Sequence, residues 1–296
     1  MNNNYQAGIF APVPSHARYL TFALPDVSVA RTQLAERVLG LSEIADGENT
    51  VVGMGAPLVT ALGAGIDGLQ VAPAQVATGV AIPSTPAAVW CWLRGEDRGD
   101  ILHTARGVSA VLDGVFSLQS SVDAFRYRNG LDLTGYEDGT ENPTGDAALQ
   151  TAFVGAGELA GSSFVAVQKW HHDLDRFTAM QPEEQDHTIG RRRSDNEELE
   201  DAPESAHVKR TAQESFAPEA FLLRRSMPWA DAHGQGLVFV AFASSFAAFE
   251  AQLARMIGAE DGIVDALFRF THPLNNAYYW CPPVAGRTLD CSALGL

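Results

Sequence analysis

Ser163-Phe164-Val165-Ala166-Val167-Gln168-Lys169-Trp170 runs directly into His171-His172-Asp173-Leu174. Its alternating β-branched and aromatic side chains predict a strand over 163–170, and 172–180 then reads as the start of a helix. Pro182-Glu183-Glu184-Gln185 opens another helical turn. The same succession recurs as a strand over 237–242 and an amphipathic helix over 246–257, ended by Gly258. It occurs twice more towards the amino terminus. A strand over 19–24 precedes a helix over 28–39 stopped by Gly40. A strand over 88–93, with Trp90 and Trp92 on one face and Cys91 on the other, precedes a helix over 99–108. Between these lies an Ala- and Gly-rich region with a helix around 57–63. Two β-α pairs on either side of residue 135 predict a duplicated α+β unit, each half an antiparallel sheet backed by helices.

Length and composition fit this division. The 296 residues can bury one large core or two medium ones, and 46% hydrophobic with 19% charged residues is ordinary for a globular chain. A formal charge of -16 repels nucleic acid and anionic lipid over most of the surface, so neither is an expected partner. The apolar run over 237–249 is interrupted by Ser244 and Ser245 and is too short to span a bilayer. Residues 1–15 contain neither a basic residue before a long apolar run nor a signal-like segment before His16, which predicts a cytoplasmic protein. Cys91, Cys281 and Cys291 are odd in number and widely spaced, fitting reduced thiols better than disulfides or a zinc site.

Two polar stretches stand out. Gly135-Tyr136-Glu137-Asp138-Gly139-Thr140-Glu141-Asn142-Pro143 places glycines on both sides of a carboxylate, so the backbone can turn tightly and approach a flat partner. On composition alone it is a solvated turn. Further on, Arg191-Arg192-Arg193 is followed by a run of acids and then by Ser205-Ala206-His207-Val208-Lys209-Arg210. A loop of this length inside a compact domain is usually functional or disordered. As a metal motif His171-His172-Asp173 is weak, because neighbouring side chains do not converge on one ion.

Taken in order, GYEDGTENP, FVAVQKWHHDL, EEQDHTIGRRRSDNEEL, SAHVKRT and LLRRSMPWA resemble the dye-decolourising peroxidase family, and within it the bacterial B-type branch. The resemblance is clear from about residue 116 to 279 and weaker before. It implies two ferredoxin-like domains, 1–134 and 135–296, with one haem b per chain held mainly by the second. Spacing alone selects none of the eight histidines. The resemblance makes His207 the iron ligand, and Asp265, on a helix expected over 261–270, is the candidate acceptor for its other N–H. Asp138 matches the acid that moves a proton between the peroxide oxygens, with an acidic pH optimum expected from a carboxylate base. Arg224 matches the cation that stabilises the departing oxygen, its neighbour Arg225 pointing to the opposite face. Ser226 sits where the branch carries a small polar residue holding a water. Arg191, with Arg192 and Arg193 as substitutes, would neutralise the haem propionates, and His172 would assist.

The implied activity is reduction of hydrogen peroxide through a ferryl intermediate, with one-electron oxidation of phenolic, aromatic or dye-like donors. Trp170, Trp229, Trp280, Tyr278 and Tyr279 could relay electrons, although such residues are more often core packing. A homo-oligomer is implied by the resemblance, and the short ending after Leu289 argues against packaging by a terminal peptide. The competing readings are a haem-handling protein with incidental peroxidase activity, and a haem-free interaction protein.

Overall fold

The computed structural model describes residues 4–25 and 29–296. Ser28, expected to open the first helix, and residues 1–3 of the amino-terminal segment lie outside the described residues.

The first unit is β1 (His16–Ala23), α1 (Arg31–Ile44), β2 (Thr50–Met54), β3 (Val89–Gly95), α2 (Arg98–Leu112) and β4 (Ser117–Phe125). Its strands lie side by side in the order β2-β3-β1-β4, all antiparallel. The second unit comprises β5 (Ser163–His172), α3 (Pro182–Ile189), α4 (His207–Arg210), β6 (Leu223–Arg224), β7 (Met227–Asp231), β8 (Gly234–Ala243), α5 (Ala247–Met256), β9 (Thr271–Pro273) and β10 (Ala277–Cys281). There the order β10-β5-β8-β7 repeats the first arrangement. Each unit is therefore a ferredoxin-like βαββαβ sandwich, the fold that the resemblance implies, and the two together are the duplicated α+β unit that the repeated strand-helix pattern predicts.

The two sheets also join each other. Trp280 of β10 pairs with Met54 of β2, and Ala124 of β4 pairs with Trp229 of β7, so eight strands close into a ring. Closure removes the exposed edges that an open sheet would present. Alternate side chains then face either the ring's interior or the helices outside. Trp90, Trp92, Tyr19, Val167, Val240, Phe242 and Tyr279 fill the interior, whereas Cys91 and Leu93 face outward into the core beneath the helices. The alternation read at Trp90, Cys91 and Trp92 is thus the inside-outside alternation of a barrel wall.

Some boundaries differ from the sequence reading. The helix expected to stop at Gly40 continues to Ile44. A Cβ on Gly40 would lie 3.2 Å from Val111 of α2, so this glycine admits a close helix-helix approach and does not act as a stop. The strand β5 continues through His172, so the helix expected to begin there starts two residues later, at Leu174. The helix expected over 261–270 is only a short 3-10 turn, Ala266–Arg269, capped by Asp265. The strand β2 was not legible in the Ala- and Gly-rich region; all five of its residues are buried, which leaves no alternation to read. No described helix is long and apolar enough to cross a membrane.

Candidate active site

Outside the ring, the second unit carries a cavity of about 130 Å³ that opens to the surface. Gln168, Trp170 and His172, alternate residues of β5, form one wall, with Leu237 and Phe239 of β8 beside them. Phe249, Gln252, Leu253 and Met256 of α5 face it at helical spacing. In the first unit the equivalent space is filled: Leu34, Val38 and Leu41 of α1 and Val108 and Leu112 of α2 pack directly onto the sheet.

His207, the first residue of α4, reaches this cavity from the long polar excursion. Arg210 fixes that short helix through paired hydrogen bonds to Asp261 (2.7 and 2.8 Å) and a third to the Arg255 carbonyl. Asp265 lies 2.7 Å from His207 Nδ1 through its Oδ2. The acid is almost wholly inaccessible, its Oδ1 accepts from Leu267 N, and its own N–H donates to Met256 O. The imidazole is therefore oriented by a fixed carboxylate, and Nε2 is left for the cavity.

Asp138 and Arg224 line the same cavity. Asp138 comes from the glycine-bracketed loop, where both flanking glycines have positive φ (87° at Gly135 and 78° at Gly139). The loop is closed on itself: Asp138 N donates to Gly130 O, Asp132 N to Tyr136 O and Gly135 N to Asp132 O. Buried Tyr136 packs against Phe177 and donates its hydroxyl to Asp186, which anchors the loop to the second unit. Burial raises the Asp138 carboxyl above its ordinary range, opposed by the positive charge of Arg224 and reinforced by the negative charge of Asp132.

Arg224 sits on β6 opposite Ala241, and its Nε is buried without a hydrogen-bond partner among the described residues. Arg225, as expected of its neighbour, points the other way. It donates to the carbonyls of Ile9 and Phe10, and burial lowers its guanidinium to about 10. Asn142, which the sequence did not single out, holds Arg224 in place: its amide accepts from Arg224 N (2.8 Å) and donates to Arg224 O (3.1 Å), mimicking one rung of a sheet.

Three expected residues are placed differently. Ser226 does not line the main cavity; it lines an adjoining recess with Asp138, Asn142 and Arg224, and its hydroxyl accepts from Val240 N (3.3 Å) of β8, in the gap between the pairings of β6 and of β7 with that strand. Arg191 opens onto a second recess shared with Asp138, His207 and Arg224, but its guanidinium is bound to Asn196 O, Glu141 and, at 3.6 Å, Glu198. His172 does line the main cavity, with both ring nitrogens engaged: Nδ1 with Thr271 Oγ1 (2.6 Å) and Nε2 with Asp132 Oδ1 (3.2 Å). Both ring nitrogens of His172 are therefore committed to protein partners, and the structure shows no free nitrogen for the propionate-assisting role expected of it. Asp132 and Thr134 are cavity residues that the sequence reading missed. Among the described residues no group of three or more His, Cys, Asp or Glu could hold a metal ion.

The model of the Dyp-type peroxidase C-terminal family matches residues 129–286, which contain every residue just described at the cavity. The chain belongs to the Dyp-type peroxidase family. A dye-decolorizing peroxidase of Rhodococcus erythropolis is 30% identical over 257 residues, 83% of this chain and 75% of that one. A putative Dyp-type peroxidase of Shewanella oneidensis has a solved structure 28% identical, with a TM-score of 0.86 over 93% of this chain and 95% of that one. A variant of DypB from Rhodococcus jostii RHA1, solved in complex with heme, shares the fold at 24% identity and a TM-score of 0.84 over 94% and 96% of the two chains.

Proposed function

We propose that the chain is a haem b peroxidase that reduces hydrogen peroxide and oxidises phenolic, aromatic or dye-like donors one electron at a time. The observation that carries this reading is the meeting of three groups at one cavity: His207 braced by Asp265 at 2.7 Å, with Asp138 and Arg224 on the same lining. The residues fit the group. A buried carboxylate makes the imidazole a strong, fixed donor to iron, apolar side chains of α5 and β8 offer a surface for a flat macrocycle, and the unpartnered Arg224 Nε lies where peroxide chemistry needs a cation.

Haem, when bound, supplies the redox change that splits peroxide. His207 would hold it, Asp138 would move a proton from one peroxide oxygen to the other, and Arg224 would stabilise charge on the departing oxygen. Arg191 is the candidate for a propionate, exchanging part of its contact with Glu141 and Glu198. A protein that only carried haem would require neither Asp138 nor Arg224 at the cavity. We place the enzyme in the cytoplasm, a reading supported by three buried unpaired thiols, and as a homo-oligomer on the sequence resemblance.

Haem titration followed by rapid mixing with peroxide tests this. Wild type should bind one haem per chain and His207→Ala should lose the ligand spectrum. Asp138→Asn and Arg224→Ala should each retain haem and react with peroxide about 10²- to 10³-fold more slowly. Unchanged rates in both would leave the carrier reading in place of the enzyme.

A further inference from the structure

Asp132 and Asp138 stand on the two arms of one loop, joined by the Leu131–Glu137 bridge, and both line the cavity. Only Asp138 has a role so far. Asp132 is tied to His172, and the proton count of that contact is fixed by its neighbours. The hydroxyl of Thr271 has one proton, which it donates to His171 O at 2.8 Å. It must therefore accept from His172 Nδ1–H at 2.6 Å. With Nδ1 protonated, the 3.2 Å contact between His172 Nε2 and Asp132 Oδ1 needs a second proton between them. The other oxygen of Asp132 accepts from Thr134 N (2.8 Å) and Thr134 Oγ1 (2.6 Å), so the carboxyl has no other way to carry that proton outward.

We propose that the Asp132–His172 pair is a buried proton store on the cavity wall, a second acid–base site that supplies protons to peroxide-derived oxygen and is refilled by the donor. The inference rests on the peroxidase reading. One peroxide and two phenols give two waters and two phenoxyl radicals, so peroxide takes up two electrons and two protons while each phenol releases one of each. Asp138 only moves a proton between the two peroxide oxygens and adds none to that sum. When the store acts, the His172 Nε2–H bond breaks and an O–H bond forms on the oxygen being reduced. The proton released from a donor's O–H then restores Nε2–H. Between these events the Asp132 carboxylate is buried without its cation, which favours rapid refilling.

The two carboxyls of the loop are driven in opposite directions. Burial alone would raise Asp132, but the hydrogen bonds from His172 and Thr134 outweigh it and hold the acid below its ordinary range, the reverse of Asp138 on the same loop. Two carboxyls driven apart in this way suit different acid–base duties. The other titratable neighbours are His171 on the same strand and His272 of β9 across from it, whose affinity for protons is lowered by burial first and then by the two adjoining rings. Phe270 covers one edge of the His172 ring.

The decisive measurement needs no haem: ¹⁵N spectra of the histidine rings in the wild-type protein at pH 7. His172 should carry protons on both nitrogens, and Asp132→Asn should leave it with one. A singly protonated His172 in the wild type overturns the proposal. In the haem-loaded protein, Asp132→Asn and His172→Gln should each slow turnover of a phenol by about 10²-fold, the low end for acid–base assistance. The loss should shrink as the solution is made more acid, and haem affinity should be retained. Equal turnover to wild type at every pH in a variant that folds would also overturn it. Failure of the peroxidase reading is seen separately, as peroxide reactivity indifferent to Asp138→Asn and Arg224→Ala.

Discussion

Asp138 is held in a state that disfavours its own ionisation, and this has two consequences of known sign. A base must be deprotonated, so the acid limb of the peroxide reaction should lie above the ~4 of an unperturbed carboxylate, making the optimum less acidic than the sequence alone suggested. Replacing Arg224 by Leu removes the charge that opposes the rise and should move that limb to still higher pH. A limb that stayed in place or moved down in Arg224→Leu would exclude Asp138 as the group observed. The second consequence is for stability. With its folded-state affinity for protons raised, Asp138 favours folding at low pH and this contribution is lost as pH rises through the folded value. Asp138→Asn, free of haem, should therefore melt above wild type at pH 7 and lose that advantage near pH 4. Equal melting temperatures at both pH values would mean that the carboxyl is not strained in the fold.

At the level of elements, the site depends on one loop docking against one short strand, and Asn142 is the joint. Asn142→Ala would leave Arg224 N and O, both within a partly buried edge, without their partners; a cost of about 1–3 kcal/mol is expected, with a larger proportional fall in peroxide reactivity than in haem affinity. Gly139→Ala should reproduce the same loss, since its Cβ would lie 2.6 Å from Asn142 Nδ2 at a φ of 78°. Urea melts and peroxide rates of the two variants check this; a stability loss with peroxide reactivity intact would show that Arg224 needs no such support. The elements differ in how far their sequence announced them. The strand β5 and helix α5 were legible because alternation and helical spacing separate a packed face from another face. The turn at Asp265 was not, because its geometry is set by tertiary contacts with Met256 and His207, and neither is visible along the chain. Asp132 was missed for a related reason: an acid two residues before a threonine reads as a turn until His172, 40 residues away, is brought to it. His207 was found only through resemblance, since nothing local distinguishes a loop histidine braced by a distant acid.

Across the whole molecule, the closed ring makes the first unit a structural part of a site it does not line. Its interior is packed from both units: Trp90 stacks on Tyr279 at 5.9 Å and Trp92 on Phe242 at 6.2 Å. Gln6 donates to both Val52 O and Pro282 O, and Arg225 reaches back to Ile9 and Phe10. Such shared burial should couple the two units into one unfolding transition even though each has its own strand order. Trp90→Ala, in the unit without the cavity, should cost about 3–5 kcal/mol and lower the midpoint for the whole chain, the His207 environment included. The thiols provide a probe on each side: burial pushes Cys91 up to about 12 and also raises Cys281, so both stay unreactive until the ring opens. Labelling of Cys91 in β3 and of Cys281 in β10 should follow the same denaturant curve as tryptophan fluorescence, in wild type and in Trp90→Ala. Two separated labelling curves would show instead that the second unit keeps its wall, and with it the haem site, after the first has come apart.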